Sequence, residues 1–377
     1  MKIAFVRTAS NILKLGGYNI QEIGLAKALL KYGISTDVYA RFSNVDSTTE
    51  VAEESGNKVV IHPLHGYQIY HEIVYYPTLN SDLCNGHYDM VQLLDDSQMM
   101  LPFIFKNLKK HGVKTILWQG MYRNFPGKAA RLMQIVYDAL MAKTLDKYSD
   151  IKIAKTKTAA EYLKKKNYHN ISVLPVGLDY VEPKYNAELE KQVADFANRH
   201  KKVLLYIGAI EPRRNPEFLL DIIAKLKSDG YGLILIGKGV SRNMIDSEIK
   251  SKGLSSDILS FNSVQNNELE VVYKASDLFL LPTNYEIYGM VVMESLYYGV
   301  PVLSTNEAGP KEILTEKVYG VCRPSDMDTW IKEIKSLCSV EKSASNVAKR
   351  RDYINKNFRW EKIADAYYKL LKEKEIF

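Results

Sequence analysis

The chain has 377 residues, 46% hydrophobic and 25% charged, an ordinary globular balance at a length that points to two domains. No apolar run approaches the ~20 residues that a membrane-spanning helix needs. The net charge of +7 suits a phosphate-bearing partner or an anionic membrane surface, whereas nucleic acid is left without a recognition motif. Cys84, Cys322 and Cys338 are few, odd in number and widely spaced, which predicts free thiols in a reducing cytosol and shows no metal-ligand spacing. The apolar stretch within Met1–Arg7 is too short for a signal peptide and reads as a first strand.

Lys2–Val6 is that strand. A loop with Gly16-Gly17 follows, then a helix from about Asn19 to Lys31 with Ile20, Ile23 and Leu30 on its apolar side. Gly33 ends the helix, and Thr36–Tyr39 is the next strand. This is a βαβ opening with a glycine-rich turn, as in nucleotide-binding half-domains. The GxGxxG fingerprint is absent, which counts against a dehydrogenase. Gly16 and Gly17 either make a tight turn or bring backbone close to a ligand.

Short strands are expected at Lys58–Ile61, Met90–Leu94 and Thr115–Trp118, with helical stretches between them, including Met100–Lys110. His65-Gly66 and Asp95-Asp96 fall in or beside turns. The two aspartates resemble a metal pair only superficially, and a structural or acceptor-loop role is preferred. Gln119 stands at a strand end in Trp118-Gln-Gly-Met-Tyr-Arg123. The basic runs Lys106–Lys114 and Lys155–Lys166 read as solvated faces or as a basic face toward lipid. Ile171–Asp179 is a strand running into a turn, and Tyr180–Lys184 reads as a linker.

Lys202–Gly208 opens the second half as a buried strand. Ala209-Ile-Glu-Pro-Arg-Arg-Asn-Pro216 is a turn, and Glu217–Lys227 an amphipathic helix. Gly232–Ile236 and Gly237-Lys238-Gly239 repeat the strand-and-glycine pattern. Ser260–Gln265 precedes a helix at Asn267–Ala275. Asp277-Leu-Phe-Leu-Leu-Pro282 is a buried strand, Met290–Tyr298 a helix, and Gly299-Val-Pro301 its end. Glu286 then sits in the strand-to-helix turn, Gly289 at the helix start and Glu294 more than one turn inside. A helix start offers unpaired N–H groups and a positive dipole end, which suits a phosphate. Carboxylates eight helical residues apart, roughly 12 Å, can hold hydroxyls at both ends of a nucleotide-sugar. The plainer alternative has Glu286 as a cap and Glu294 solvated. Thr305–Ile313 is a loop bordering this region. Trp360–Phe377 carries Trp360, Ile363, Ala364, Tyr367 and Leu371 at helical spacing.

Glu286-x7-Glu294 followed by Gly299-Val-Pro-Val-Leu-Ser304 resembles the donor-site signature of retaining GT-B glycosyltransferases, and is most similar to family 4, the glycosyl transferases group 1. The resemblance implies an α/β fold of two Rossmann-like β/α/β domains facing a central cleft. Residues 1–180, joined by the C-terminal helix 358–377, would bind the acceptor. Residues 185–357 would bind the donor, a nucleoside-diphosphate sugar such as a UDP or GDP sugar.

The resemblance also implies residue roles. Glu286 would hold sugar hydroxyls and Glu294 the ribose. Ile287, Tyr288, Gly289 and Met290 would surround the diphosphate at the helix start. Backbone near Gly16, Gly17 and Gly208 would approach the donor phosphates or the acceptor, and backbone at Val264 the base. Arg214 matches a lysine position aimed at the diphosphate, with Arg213 beside it, while Ala209 stands where an arginine is usual. Gln119 replaces a histidine that reaches the sugar. Catalysis is expected to rest on Glu286, Arg214 and Gln119, with no metal, no cofactor and no protein nucleophile. The implied activity is retaining transfer to a glycan, glycolipid or small-molecule hydroxyl, in the synthesis of cell-surface polysaccharide or glycoconjugate. The implied place is the cytoplasm, with peripheral contact at the inner membrane face. Another GT-B activity (epimerase or phosphorylase) and a non-catalytic sugar-nucleotide-binding protein remain the alternatives.

Overall fold

Short apolar segments alternating with helices condense into two separate parallel sheets. The computed structural model describes residues 1–16, 20–70, 73–340 and 342–374. The chain divides into one unit of Met1–Asp179 with Arg359–Phe377, and a second of Tyr180–Phe358.

The first unit contains β1 (Lys2–Val6), β2 (Ser35–Ala40), β3 (Thr49–Glu54), β4 (Asn57–Pro63), β5 (Tyr67–Tyr70), β6 (Ile73–Tyr75), β7 (Met90–Leu94), β8 (Lys114–Gln119), β9 (Ile151–Ala154) and β10 (Ile171–Val173). Its main sheet runs β10-β9-β8-β7-β1-β2-β4-β3, and β5-β6 form a separate hairpin. The main sheet is parallel except for β3, which pairs antiparallel with β4. Its central strands are buried on both faces, which is why they read as unbroken apolar runs. The edge strand β3, Thr-Glu-Val-Ala-Glu-Glu, is charged and mostly solvated. It therefore lacks the apolar signal that marks its neighbours.

The first helix spans Gln21–Leu29 and tightens into a single turn, Leu30–Tyr32, before Gly33 ends it at φ +72°. The C-terminal helix Trp360–Glu373 packs within this first unit. The Trp360 ring fills the space over Gly24 and Gly177. Tyr367 Oη donates to Gln92 Oε1 at 2.9 Å, in the middle of the sheet. Among the described residues, no helix is long and apolar enough to cross a membrane.

The second unit contains β11 (Lys202–Ile207), β12 (Tyr231–Ile236), β13 (Ile258–Phe261), β14 (Leu278–Leu281), β15 (Val302–Ser304) and β16 (Gly320–Cys322). All pairs are parallel, in the order β13-β12-β11-β14-β15-β16. Within the unit this is the doubly wound order 3-2-1-4-5-6, whose strand order reverses between β11 and β14. In doubly wound sheets ligands bind at the carboxyl ends of the strands beside such a reversal.

Candidate active site

The loop after β11 contributes Gly208 through Asn215, and the loop after β14 contributes Thr283 through Gly289. Their side chains meet. Arg214 Nη1 forms an ion pair with Glu286 Oε2, and both side chains are largely withdrawn from solvent. Arg214 Nη1 also reaches Thr283 Oγ1 at 3.4 Å. Burial works against the Arg214 charge, but the Glu286 carboxylate more than offsets it and holds the guanidinium pKa above its usual value. Arg214 Nε is buried without a hydrogen-bond partner among the described residues. An orphaned, fixed donor of this kind suits an anion that is yet to arrive.

Arg213 points elsewhere. Its guanidinium pairs with Glu211 Oε1 at 2.7 Å and donates to the Tyr285 carbonyl at 2.8 Å. Asn284 N in turn donates to the Arg213 carbonyl at 2.9 Å. Arg213 thus ties the two loops together from the solvent side, while Arg214 faces inward.

Beyond the loop, Gly289 takes φ +86°, a left-handed conformation that L side chains adopt at a cost, and starts the helix Met290–Tyr297. Gly289, at the N-cap, has no side chain to cap the helix, and Val292 N donates to its carbonyl at 2.9 Å. Ile287 is half-buried, and Tyr288 and Met290 are buried, which fixes the turn from beneath. Gly309 backs it: a Cβ there would stand 1.8 Å from the Tyr288 carbonyl oxygen.

Glu294 is buried, not solvated, which removes the plainer alternative for this residue. Its Oε2 accepts from Tyr273 Oη at 3.1 Å. Burial first, and then the Glu294 charge, push the Tyr273 phenol well above its usual pKa, so it remains a donor. The Glu286 side chain is engaged by Arg214.

Gly208 lies at the end of β11, where its carbonyl oxygen would be 1.8 Å from a Cβ on Gly237. Two glycine loops are thereby stacked backbone to backbone at the ends of β11 and β12. Val264 lies in the loop after β13, at the edge of the sheet and two strands from β11.

In the first unit the expectations divide. Gly16 adopts φ +77° with open space where a Cβ would be, a geometry compatible with a tight turn and with backbone approach to a ligand. Gly17 lies outside the described residues. Gln119 is fully buried, and its amide is spent inside the protein, contrary to a reach toward a sugar. Its Oε1 accepts from Asp96 N at 2.9 Å, and its Nε2 donates to Asp96 Oδ1 and the Met121 carbonyl. The physical reason is local: β8 turns immediately after Gln119, and the amide clasps that turn to the end of β7. Asp95 does likewise, accepting from Gly120 N and Met121 N.

Asp96 is held by Lys166 at 2.7 Å, and Lys166 also pairs with Asp138 at 2.9 Å. Lys155 is buried too. The ends of the basic run 155–166 therefore serve the interior rather than a surface. Among the described residues, no group of three His, Cys, Asp or Glu side chains could hold a metal.

A polar cluster unmarked in the sequence sits at the carboxyl end of β1. Arg7 Nη1 pairs with Glu22 Oε1 at 3.2 Å, and Lys155 Nζ donates to Gln21 Oε1 at 2.9 Å. Burial tends to raise the Glu22 pKa, but Arg7 and Lys155 outweigh it and hold the carboxyl below its usual range. Gln21 and Glu22 line a small cavity with Val6, Leu25, Gln92, Leu94 and Trp118. Tyr273 and Thr283 were missed for the same reason as this cluster. Each becomes visible only through a partner distant in sequence.

Comparison with known proteins bears on this arrangement. Residues 189–360 match the family model described as glycosyl transferases group 1. By sequence the chain is similar to a probable sucrose-phosphate synthase of Thermosipho melanesiensis, 26% identical over 187 residues, covering 47% of this chain and only 42% of that one. It is also similar to D-inositol 3-phosphate glycosyltransferase of Segniliparus rotundus, 22% identical over 384 residues, covering 93% of this chain and 83% of that one. By structure it resembles sucrose-phosphate synthase of Thermosynechococcus elongatus, with TM-score 0.74 at 18% identity over 99% of this chain and 98% of that one. It also resembles HepE of Anabaena, solved with UDP-glucose, with TM-score 0.72 at 13% identity over 99% and 100% of the two chains. Residues 189–360 thus match the glycosyl transferases group 1 model, and the fold is GT-B.

Proposed function

We propose that the protein is a retaining glycosyltransferase that moves a sugar from a nucleoside-diphosphate sugar to a hydroxyl of a glycan, glycolipid or small-molecule acceptor. The observation that carries this reading is the Arg214–Glu286 pair at the β11/β14 switch point, beside the glycine-started helix Met290–Tyr297. The donor diphosphate would sit at that helix start and take up the Arg214 guanidinium, including its orphaned Nε–H. Glu286, released from Arg214, would then accept from the sugar hydroxyls. Glu294, oriented by Tyr273, would hold the ribose. The glycine loops after β11 and β12 would place backbone beside the donor.

In the reaction, the bond from the anomeric carbon to the diphosphate oxygen breaks and a bond to the acceptor oxygen forms on the same face. The acceptor proton passes to the departing phosphate. Negative charge grows on the leaving group, and Arg214 with the helix start lowers its energy. The acceptor would be held by the first unit, where Arg7, Glu22 and Lys155 supply charge. The UDP-glucose complex of HepE makes UDP-sugars the first donors to try.

The test is incubation with a panel of nucleoside-diphosphate sugars and hydroxyl acceptors, following diphosphate release and the anomeric configuration of the product by NMR. Retained configuration supports the reading. Donor binding without release would make this a binding protein, and a changed sugar without an acceptor would make it an epimerase.

A further inference from the structure

The helix Lys128–Tyr148 is built inside out. Its 21 residues, about 31 Å at 1.5 Å per residue, bury Ala142 and Leu145 in the core toward the C-terminal end, but along the first half they place polar groups inward and apolar ones toward solvent. On the inner face, Gln134 is buried between Phe125 N and Tyr162 Oη. Asp138 pairs with Lys166, and Asp146 pairs with Lys152 at 3.1 Å. On the outer face, Leu132, Val136 and Leu140 are 63%, 52% and 65% exposed, with Met133 and Ile135 exposed beside them.

Leu132, Val136, Leu140, Lys143 and Lys147 follow one another by three or four residues, so they form a single row along the helix. The exposed charges of the helix are Lys128, Arg131, Lys143 and Lys147, all basic. Its only two acids, Asp138 and Asp146, are the ones paired inward. The neighbouring helix Leu101–Lys110 packs against it and adds Phe103, 69% exposed, with exposed Lys106 and Lys110 at helical spacing.

A soluble surface rarely exposes a continuous apolar row of this kind without a partner. The charge pattern selects the partner. An apolar ridge flanked at both ends by cations and free of acids is complementary to an anionic bilayer, where apolar insertion and electrostatic attraction add. A second copy of the chain is disfavoured, because ridge-to-ridge pairing would set four cations against four. We infer that the helix Lys128–Tyr148 is a membrane-docking ridge that lies in the interface of an anionic lipid surface. Leu132, Val136 and Leu140 enter the acyl boundary, while Lys128, Arg131, Lys143 and Lys147 contact lipid phosphates. This ridge is independent of the donor site.

The experiment is co-sedimentation of the full chain, without any nucleotide-sugar, with vesicles of phosphatidylcholine alone or of phosphatidylcholine with phosphatidylglycerol. The wild type should bind the anionic vesicles, bind neutral ones poorly, and be released by raised salt. Leu132→Gln, Val136→Gln and Leu140→Gln together should lower partitioning at least about tenfold. Lys143→Gln with Lys147→Gln should lower it roughly tenfold or more. Both variants change exposed positions, so thermal unfolding should be unchanged, and the charge variant tests the inference even if the apolar one misfolds. Three results would overturn it. The wild type fails to prefer anionic vesicles, or both variants bind like wild type, or gel filtration shows a dimer that the apolar variant turns into a monomer.

Discussion

Replacing Arg214 by alanine removes the ion-pair partner of Glu286 and the buried donor Nε. Two consequences can be separated. In the free protein, Glu286 loses its partner while largely withdrawn from solvent, which should lower stability by about 1–3 kcal/mol. In the reaction, the leaving diphosphate loses a charge-assisted contact worth roughly 1.5–3 kcal/mol. If that contact strengthens as charge develops, kcat falls along with donor affinity. At about 1.4 kcal/mol per tenfold, kcat/KM should drop on the order of ten- to a few-hundredfold.

Arg213→Ala is the internal control. Arg213 is solvent-facing and occupied by Glu211 and the Tyr285 carbonyl, so its loss should cost a few-fold at most. Steady-state kinetics on the active donor, with urea unfolding of each variant, reads both effects. The reasoning is refuted if Arg213→Ala is the crippling change and Arg214→Ala is kinetically silent. Silence of both would mean that helix start and backbone alone hold the diphosphate.

Glu294→Ala should weaken binding of the free nucleoside diphosphate about tenfold in calorimetry, with a smaller effect on kcat; an unchanged affinity would remove the ribose from its role. Tyr273→Phe should weaken it less, because the carboxylate stays and only its orienting hydroxyl is lost. Gly24→Ala would ordinarily favour a helix by about 1 kcal/mol, but its Cβ would stand 2.1 Å from Trp360 Nε1. Overpacking costs about 1–3 kcal/mol, so the substitution should lower the thermal midpoint, and a rise would show that Trp360 moves aside freely. Asp179, the last residue of the first unit before the crossing, has its carboxyl pushed up to about 6, by burial before all else, with Lys27 and Arg359 opposing. The neutral acid fits the folded state, so its contribution is complete below pH about 4 and lost as pH rises through about 6. Asp179→Asn should therefore stabilise the protein at pH 7 by on the order of 2–3 kcal/mol and do little at pH 4; equal effects at both pH values would contradict the assignment to burial.

Much of this molecule is legible in one dimension. Buried parallel strands such as Met90–Leu94 and Lys202–Ile207 are continuous apolar runs because helices cover both faces of each sheet. Gly33 and Gly289 mark helix boundaries because their positive φ favours the residue without a side chain. These local signals, with Glu286-x7-Glu294, sufficed for the α/β class and for the turn that matters. Where an element is solvated or inverted, the signals fail. The strand Thr49–Glu54 is charged because it is an edge, and the helix Lys128–Tyr148 turns its apolar row outward.

The roles of single side chains followed the same division. From sequence, Arg213 and Arg214 are equivalent neighbours, Gln119 is an amide at a strand end, and Glu294 is equally at home in water or in the interior. The fold decided each case through a partner far along the chain: Glu286 for Arg214, Asp96 for Gln119, Tyr273 for Glu294. Sequence by itself determined which backbone segments form strands, helices and tight turns, since those depend on the apolar periodicity and glycine freedom of nearby residues. Only the tertiary structure decided which charged and polar groups face one another. That depends on strand order, and strand order brings together residues such as 214 and 286 that no local interaction relates.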